Sequence, residues 1–235
     1  MSVFATLVEH LADLLQPLFG ASAAAAAIVL FTAAVRLLVH PLSRAAARGQ
    51  KARTALQPRI AELRERHAKN PEKLQRAVLE LHAEEKVSPL SGLLPSLCQL
   101  PAFFLLYHLF SSSSIGGEAN ALLGHRFLGA PLGDRWTDAL TGDGLFGPAG
   151  LVYFGLFAVV AAVASFNFVR ARRVSPITAG AGVGAEVPGL GTLAKAMPFL
   201  SFLTLVTVAV VPLAAALYVI TSTTWSALER AALYR

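Results

Sequence analysis

The chain has 235 residues, 55% of them hydrophobic and only 14% charged, against roughly 25% charged in a soluble domain. A mean hydropathy of +0.58, with the apolar residues gathered in long blocks, makes lipid the solvent for most of the chain. The net charge of +6 is concentrated: 11 of the 20 Lys and Arg lie between Ser43 and Val87, among six Glu, a bias that membrane topology explains more cheaply than nucleic acid does.

Residues 1–20 predict an amphipathic helix lying in the membrane interface. Phe4, Leu7, Leu11, Leu14, Leu15 and Leu18 recur at helical spacing, with Glu9, His10 and Asp13 between them. The same stretch could instead form half of a longer first span. No Lys or Arg precedes Arg36, so a cleaved signal peptide is not expected. A first span is expected at 21–41, stopping near Pro41. The polar segment 43–86 reads as a cytoplasmic helical hairpin. Leu56, Ile60 and Leu63 share one face, and Leu74, Val78 and Leu81 another. Asn70-Pro71-Glu72 between them suits a helix start. Its plain role is a solvated spacer, and its functional one an arm that meets ribosomes, nascent chains or lipid head groups.

A second span is expected at 89–110, an extracytoplasmic loop at 111–149 and a third span at 150–169. A cytoplasmic loop follows at 170–195, with a glycine-rich stretch from Ala179 to Gly191. The remaining apolar block would reach roughly 60 Å as one helix, twice the ~30 Å hydrocarbon core. Pro212 divides it into a fourth span at 196–211 and a fifth at 213–232, whose apolar part ends near Leu228. The expected fold is therefore an all-α polytopic membrane protein with five transmembrane helices. Charge sets its orientation. Seventeen basic residues fall on the side of the hairpin, and only Arg126 and Arg135 on the other. The N-terminus is then outside and the C-terminus cytoplasmic.

Arg36 lies within the first span. At mid-membrane an uncompensated arginine costs ~2.5–3.5 kcal/mol on insertion scales. Two readings stand. Its side chain could snorkel about 10 Å to the inner head groups, or it could face a water-filled cavity. No acidic residue falls in the apolar core of a span, so no ion-pair partner is expected. Gln99, Ser165, Asn167, Ser201, Thr204, Thr207, Thr221, Ser222, Thr223 and Thr224 also lie in spans. Singly, such residues usually hydrogen-bond their own helix; together with Arg36 they could line a hydrated groove. Pro95 and Pro101 break the second span and could open space between helices.

No nucleotide, hydrolase or metalloprotease motif occurs, and the six His are scattered without ligand spacing. The single Cys98 permits neither an intrachain disulfide nor a cysteine metal site. Neither an enzymatic reaction nor a cofactor or metal is expected.

Pro89-Leu90-Ser91-Gly92-Leu93-Leu94-Pro95-Ser96-Leu97-Cys98-Gln99-Leu100-Pro101 resembles a P-x-x-G-x-x-P-x-x-x-Q-x-P stretch of the YidC/Oxa/Alb insertase family. Val35-Arg36-Leu37-Leu38-Val39-His40-Pro41-Leu42 resembles that family's arginine-bearing first core span, and Ala55-Leu56-Gln57-Pro58 the start of its cytoplasmic hairpin. Met197-Pro198, Val211-Pro212 and Leu217-Tyr218 resemble its last two spans. The likeness covers roughly 20–232 and is to the short form, without a large periplasmic domain. Ser88 and Val219 depart from the residues frequent in relatives, and no basic tail follows Arg235 for ribosome docking.

The resemblance implies five core helices around a positively charged hydrophilic groove, open to cytoplasm and lipid and closed outside. Arg36 takes the role of receiving polar or acidic parts of a substrate, and Asn167 stands where relatives often have glutamine. Gln99, Ser165, Thr204, Thr207, Tyr218 and Ser222 complete the expected groove. The implied partners are nascent membrane proteins, the lipid bilayer, and the Sec translocon and ribosome. Two other classes remain open on the residues alone: a small anion transporter or channel, and a structural membrane anchor presenting the hairpin.

Overall fold

The computed structural model describes residues 2–87, 94–142, 144–179 and 197–233. The described chain is mostly helical: α1 Ser2–Phe19, α2 Ala23–Ala55, α3 Gln57–Arg66, α4 Pro71–Glu84, α5 Leu94–Ser111, α6 Trp136–Thr141, α7 Pro148–Ala179, α8 Leu203–Val210 and α9 Leu213–Leu233. Between α5 and α6 lie two short antiparallel ladders. They pair β1 Ser114–Ile115 with β2 Glu118–Ala119, and β3 Arg126–Phe127 with β4 Ala130–Pro131.

Two helical stretches among the described residues are long and apolar enough to cross a membrane, Val3–Ala52 and Pro148–Arg170. The first is folded on itself. Phe4 and Phe31 pack edge to face with ring centroids 6.5 Å apart, whereas 27 residues of straight helix would separate them by about 40 Å. A 3₁₀ turn at Gly20–Ser22, with Gly20 at φ +52°, makes the reversal. Glycine suits this left-handed position because it has no Cβ to clash there.

The apolar stripe of α1 divides between two surroundings. Ala5, Val8 and Ala12 are buried against α2, with Leu11 and Leu15 partly so. Leu7, Leu14 and Leu18 face outward. Small residues on both sides, Ala24, Ala25 and Ala27 on α2 among them, let the two backbones approach closely.

Pro41 does not end α2, contrary to the expectation from its sequence. The helix runs unbroken to Ala55. Proline costs one hydrogen bond and crowds the carbonyl four residues back. The following Ala- and Arg-rich residues carry high helix propensity and continue the helix. The paired hairpin helices are therefore only α3 and α4. Leu56, Ile60 and Leu81 are buried between them, with Leu63, Val78 and Val87 alongside. Arg59 and Glu85 pair across the seam. Asn70 Oδ1 accepts the Lys73 N–H at 3.0 Å and Pro71 takes the first helical position, which caps α4.

Two further differences concern helix ends. α7 continues to Ala179, into the segment expected as loop. Of the expected fourth span, Met197–Phe202 forms a 3₁₀ turn and only Leu203–Val210 is α-helix. Val211 is extended and α9 starts at Leu213, so the chain turns sharply at Pro212. The glycine-rich stretch, apart from Ala179 at the end of α7, lies outside the described residues.

α9 is the central helix: every residue from Leu213 to Ile220 is buried, and α2, α5, α7 and α8 all pack on it. One end of the bundle is capped by the segment between α5 and α7. Leu122 and Leu132 are fully buried there. Asn120 Nδ2 donates to the carbonyls of Leu109 and Ser112, each at 2.9 Å, which satisfies acceptors at the end of α5. The Asp134 carbonyl accepts the Leu213 N–H at 2.9 Å and the Tyr153 hydroxyl at 2.8 Å. The Leu132 carbonyl accepts the Ala214 N–H at 2.9 Å. These bonds fix the starts of α7 and α9 to the cap. Trp136 on α6 packs against Tyr153, Phe154 and Phe157.

Candidate functional site

The site is built where α2 meets α9, well away from the cap. Both helices run in the same direction from the capped end, so residues further along one meet residues further along the other. Arg36 on α2 donates from Nη2 to the Ser222 hydroxyl on α9. One turn later His40 lies with Nδ1 2.5 Å from Glu229 Oε1, the ring N–H donating to the carboxylate. Tyr218 is one turn before Ser222 on the same face of α9.

Helix periodicity explains why these groups converge. Tyr218, Ser222, Ser226 and Glu229 recur at steps of four, four and three on α9, and Arg36 and His40 are four apart on α2. From Leu213 at the cap, Ser222 lies about 14 Å along α9 and Glu229 about 24 Å. The polar pairs thus start at the middle of α9 and continue away from the cap, while Leu213–Ile220 is wholly apolar apart from Tyr218. Tyr218 is anchored from the other side by Phe103 and Phe110 of α5, at centroid distances of 6.0 and 5.9 Å.

Three buried polar atoms on facing helices make no hydrogen bond within the protein: Asn167 Oδ1 on α7, and Thr224 Oγ1 and Trp225 Nε1 on α9. Asn167 extends the buried face Tyr153–Leu156–Val160–Ala164 of α7. It lies roughly 21 Å past Tyr153, and Trp225 roughly 18 Å past Leu213, both counted from the same cap carbonyl. The unpaired atoms therefore sit about 3–7 Å further from the cap than Ser222, with Thr224 about 200° around α9 from it. Buried groups without partners are costly, so this layer is suited to water or to polar groups of a visiting chain.

The other expected groove residues fall elsewhere. Ser165 is exposed, about 100° around the helix from Ala164. Thr204 and Thr207 bond carbonyls of their own helix region, those of Ser201 and Leu203, as membrane-helix Ser and Thr usually do. Gln99 is on α5, but its side chain is outside the described residues, as are Pro89–Leu93.

Among the described residues Arg36 makes no ion pair, as expected, but an acidic residue does lie on the face of α9 that meets α2. Glu229, in the last turns of α9, pairs with His40 one turn along α2 from Arg36, with only 11% of its side chain exposed. Neither Glu229 nor His40 stood out in the sequence, because Glu229 follows the apolar part of its span and His40 sits before Pro41 at an expected helix end. The signal that could have found them is their four-residue and seven-residue spacing from Arg36 and Ser222 on faces that pair.

Residues 14–235 match the 60Kd inner membrane protein family. Among similar curated proteins is a "Membrane protein insertase YidC" of Clostridium perfringens, 39% identical over 109 residues, covering 46% of this chain and 42% of that protein. Proteins of the same name from Magnetococcus marinus and Shewanella woodyi are 43% identical over 81 residues and 41% over 88. These cover 34% and 37% of this chain and 15% and 16% of theirs. The matched regions thus span less than half the length of these relatives.

Proposed function

The chain belongs to the 60Kd inner membrane protein family, and from that membership we propose that it is a membrane-protein insertase. In this reading it moves short hydrophilic segments of nascent membrane proteins across the bilayer and releases their apolar helices into lipid. The observation that carries it is the part-buried, hydrogen-bonded pair of Arg36 and Ser222 between α2 and α9, set well beyond the packed cap.

Five spans, with the N-terminus outside and the C-terminus cytoplasmic, put the cap outside and the cluster in the inner half of the membrane. A groove there would open to the cytoplasm and close toward the outside. A channel or transporter needs a path through both ends, which the packed cap disfavours. α1, with Leu7, Leu14 and Leu18 outward and Glu9, His10 and Asp13 on another face, suits the outer interface.

Each part then has a physical task. Water around Arg36 lowers the barrier for a hydrophilic segment, and its charge attracts acidic or polar groups. Met197–Phe202 and α8 together extend only about 24 Å, short of the ~30 Å core, which suits a locally thinned bilayer. The downhill step is burial of the substrate's apolar helix in lipid, at ~25 cal/mol per Å². No chemical reaction and no cofactor enter this scheme. The Sec translocon and the ribosome are its proposed partners, with the basic hairpin α3–α4 as the arm that meets them.

The test is Arg36→Ala in cells depleted of other insertases. Insertion of single-span substrates is expected to fall several-fold, the equivalent of about 1 kcal/mol or more. Insertion at the wild-type level would contradict the proposal.

A further inference from the structure

The mechanism above uses Arg36 and leaves Glu229 without a task. A carboxylate almost covered by protein, paired with His40 one turn along α2 from the substrate-receiving arginine, is expensive unless its charge is balanced. Two turns of α9 separate it from Ser222, about 10 Å along the axis, and Arg36 and His40, one turn apart on α2, meet these two residues in order. His40 fixes where the carboxylate stands. The charged groups near it are His40, in contact, Arg36 one turn before His40 on α2, and the exposed Arg230 next to it in sequence on α9.

We propose that Glu229 is a specificity-determining residue, a resident counter-charge that sets how acidic an incoming segment must be to occupy Arg36. This rests on the reading of Arg36 as the substrate-receiving residue. With Glu229 in place, part of the arginine's field is spent inside the protein. A substrate carboxylate then competes with a charge already present, so the groove discriminates weakly between neutral and acidic segments. His40 is a positioning residue that acts through Glu229. A purely structural clamp between α2 and α9 would give no such dependence on substrate charge.

The experiment uses the purified full chain in proteoliposomes and one single-span substrate. Its translocated segment is varied from one basic residue to three acidic ones, and the slope of log insertion rate against segment charge is read. Wild type is expected to give a shallow slope favouring acidic segments. Glu229→Gln is expected to steepen it by about three- to tenfold in rate per charge, the size of a screened interaction across a hydrated site. Glu229→Asp should retain the wild-type slope. Arg36→Ala should flatten or reverse it, because Glu229 then acts alone.

The proposal is overturned if Glu229→Gln gives the wild-type slope, including the case where insertion falls equally for every segment. The two readings separate cleanly. Arg36→Ala flattening the slope while Glu229→Gln leaves it unchanged removes only the role of Glu229. Arg36→Ala matching wild type in rate and slope removes the reading beneath it as well.

Discussion

Asn120 offers the sharpest test of how the outer cap is held. Its side chain is buried, and its Nδ2 gives both hydrogens to main-chain carbonyls, of Leu109 at the end of α5 and of Ser112 just beyond it. No backbone donor follows a helix to satisfy such carbonyls. Asn120→Ala removes two hydrogen bonds worth about 1 kcal/mol each, and leaves two acceptors partly desolvated at up to a further ~1 kcal/mol each. The cap should lose about 2–4 kcal/mol. Asn120→Asp should lose at least as much at neutral pH, since a carboxylate cannot donate and faces two carbonyl dipoles. Acidification would restore part of that loss by returning one O–H donor. Thermal unfolding of the detergent-purified protein, with hydrogen exchange over 109–123, measures both. If Asn120→Ala stays within about 0.5 kcal/mol of wild type, or Asn120→Asp matches wild type at pH 7, this account of the cap is wrong.

Other consequences follow from single contacts. Asn70→Ala should fray α4 by about 1 kcal/mol, seen as faster exchange at Glu72–Leu74, with the melting of the α2–α9 bundle unmoved. Tyr153→Phe should cost about 1 kcal/mol in thermal unfolding, because the Asp134 carbonyl keeps its bond from Leu213. The Asp134 carboxyl is held above the usual carboxylate range, first by burial, then by the nearby Asp138, against the opposing pull of Arg126. A carboxyl with a raised folded pKa binds its proton more tightly when folded. Its contribution therefore weakens stability as pH rises from its ordinary value through the raised one. Asp134→Asn should abolish that part of the pH dependence, which sets in at about pH 4 and runs upward from there, and an unchanged profile would count against it.

Much of the helical plan was legible in the sequence because hydropathy and period mark apolar lengths and faces. Leu56, Ile60, Leu81 and the Asn70 cap follow from local spacing and local hydrogen bonding alone. Helix ends were less legible. α2 passes Pro41 because good helix formers extend a helix beyond its apolar length; α7 passes Arg170 and runs on through Ser175-Pro176, which helix propensity does not explain. The cap left little signal: ladders of two residues have no period, and Leu132, Asp134 and Asn120 acquire their roles from α5, α7 and α9. Arg36 was visible as an oddity, and Ser222 and Tyr218 as polar groups in a span. Their meeting depends on how α2 lies on α9. Glu229 was hidden for the same reason, since a span is recognised by excluding charges from it.

The central claim is that a substrate occupies the polar layer between α2, α7 and α9. It is tested most directly by placing a photo-crosslinking residue at Ser222, and separately at the outward-facing Leu38 and Phe146, which are 79% and 85% exposed, with a stalled nascent membrane protein as substrate. The account predicts strong crosslinks from position 222 to the translocated segment, weaker ones from 38 and none from 146. Equal labelling from all three positions, or labelling from 146 without 222, would contradict it.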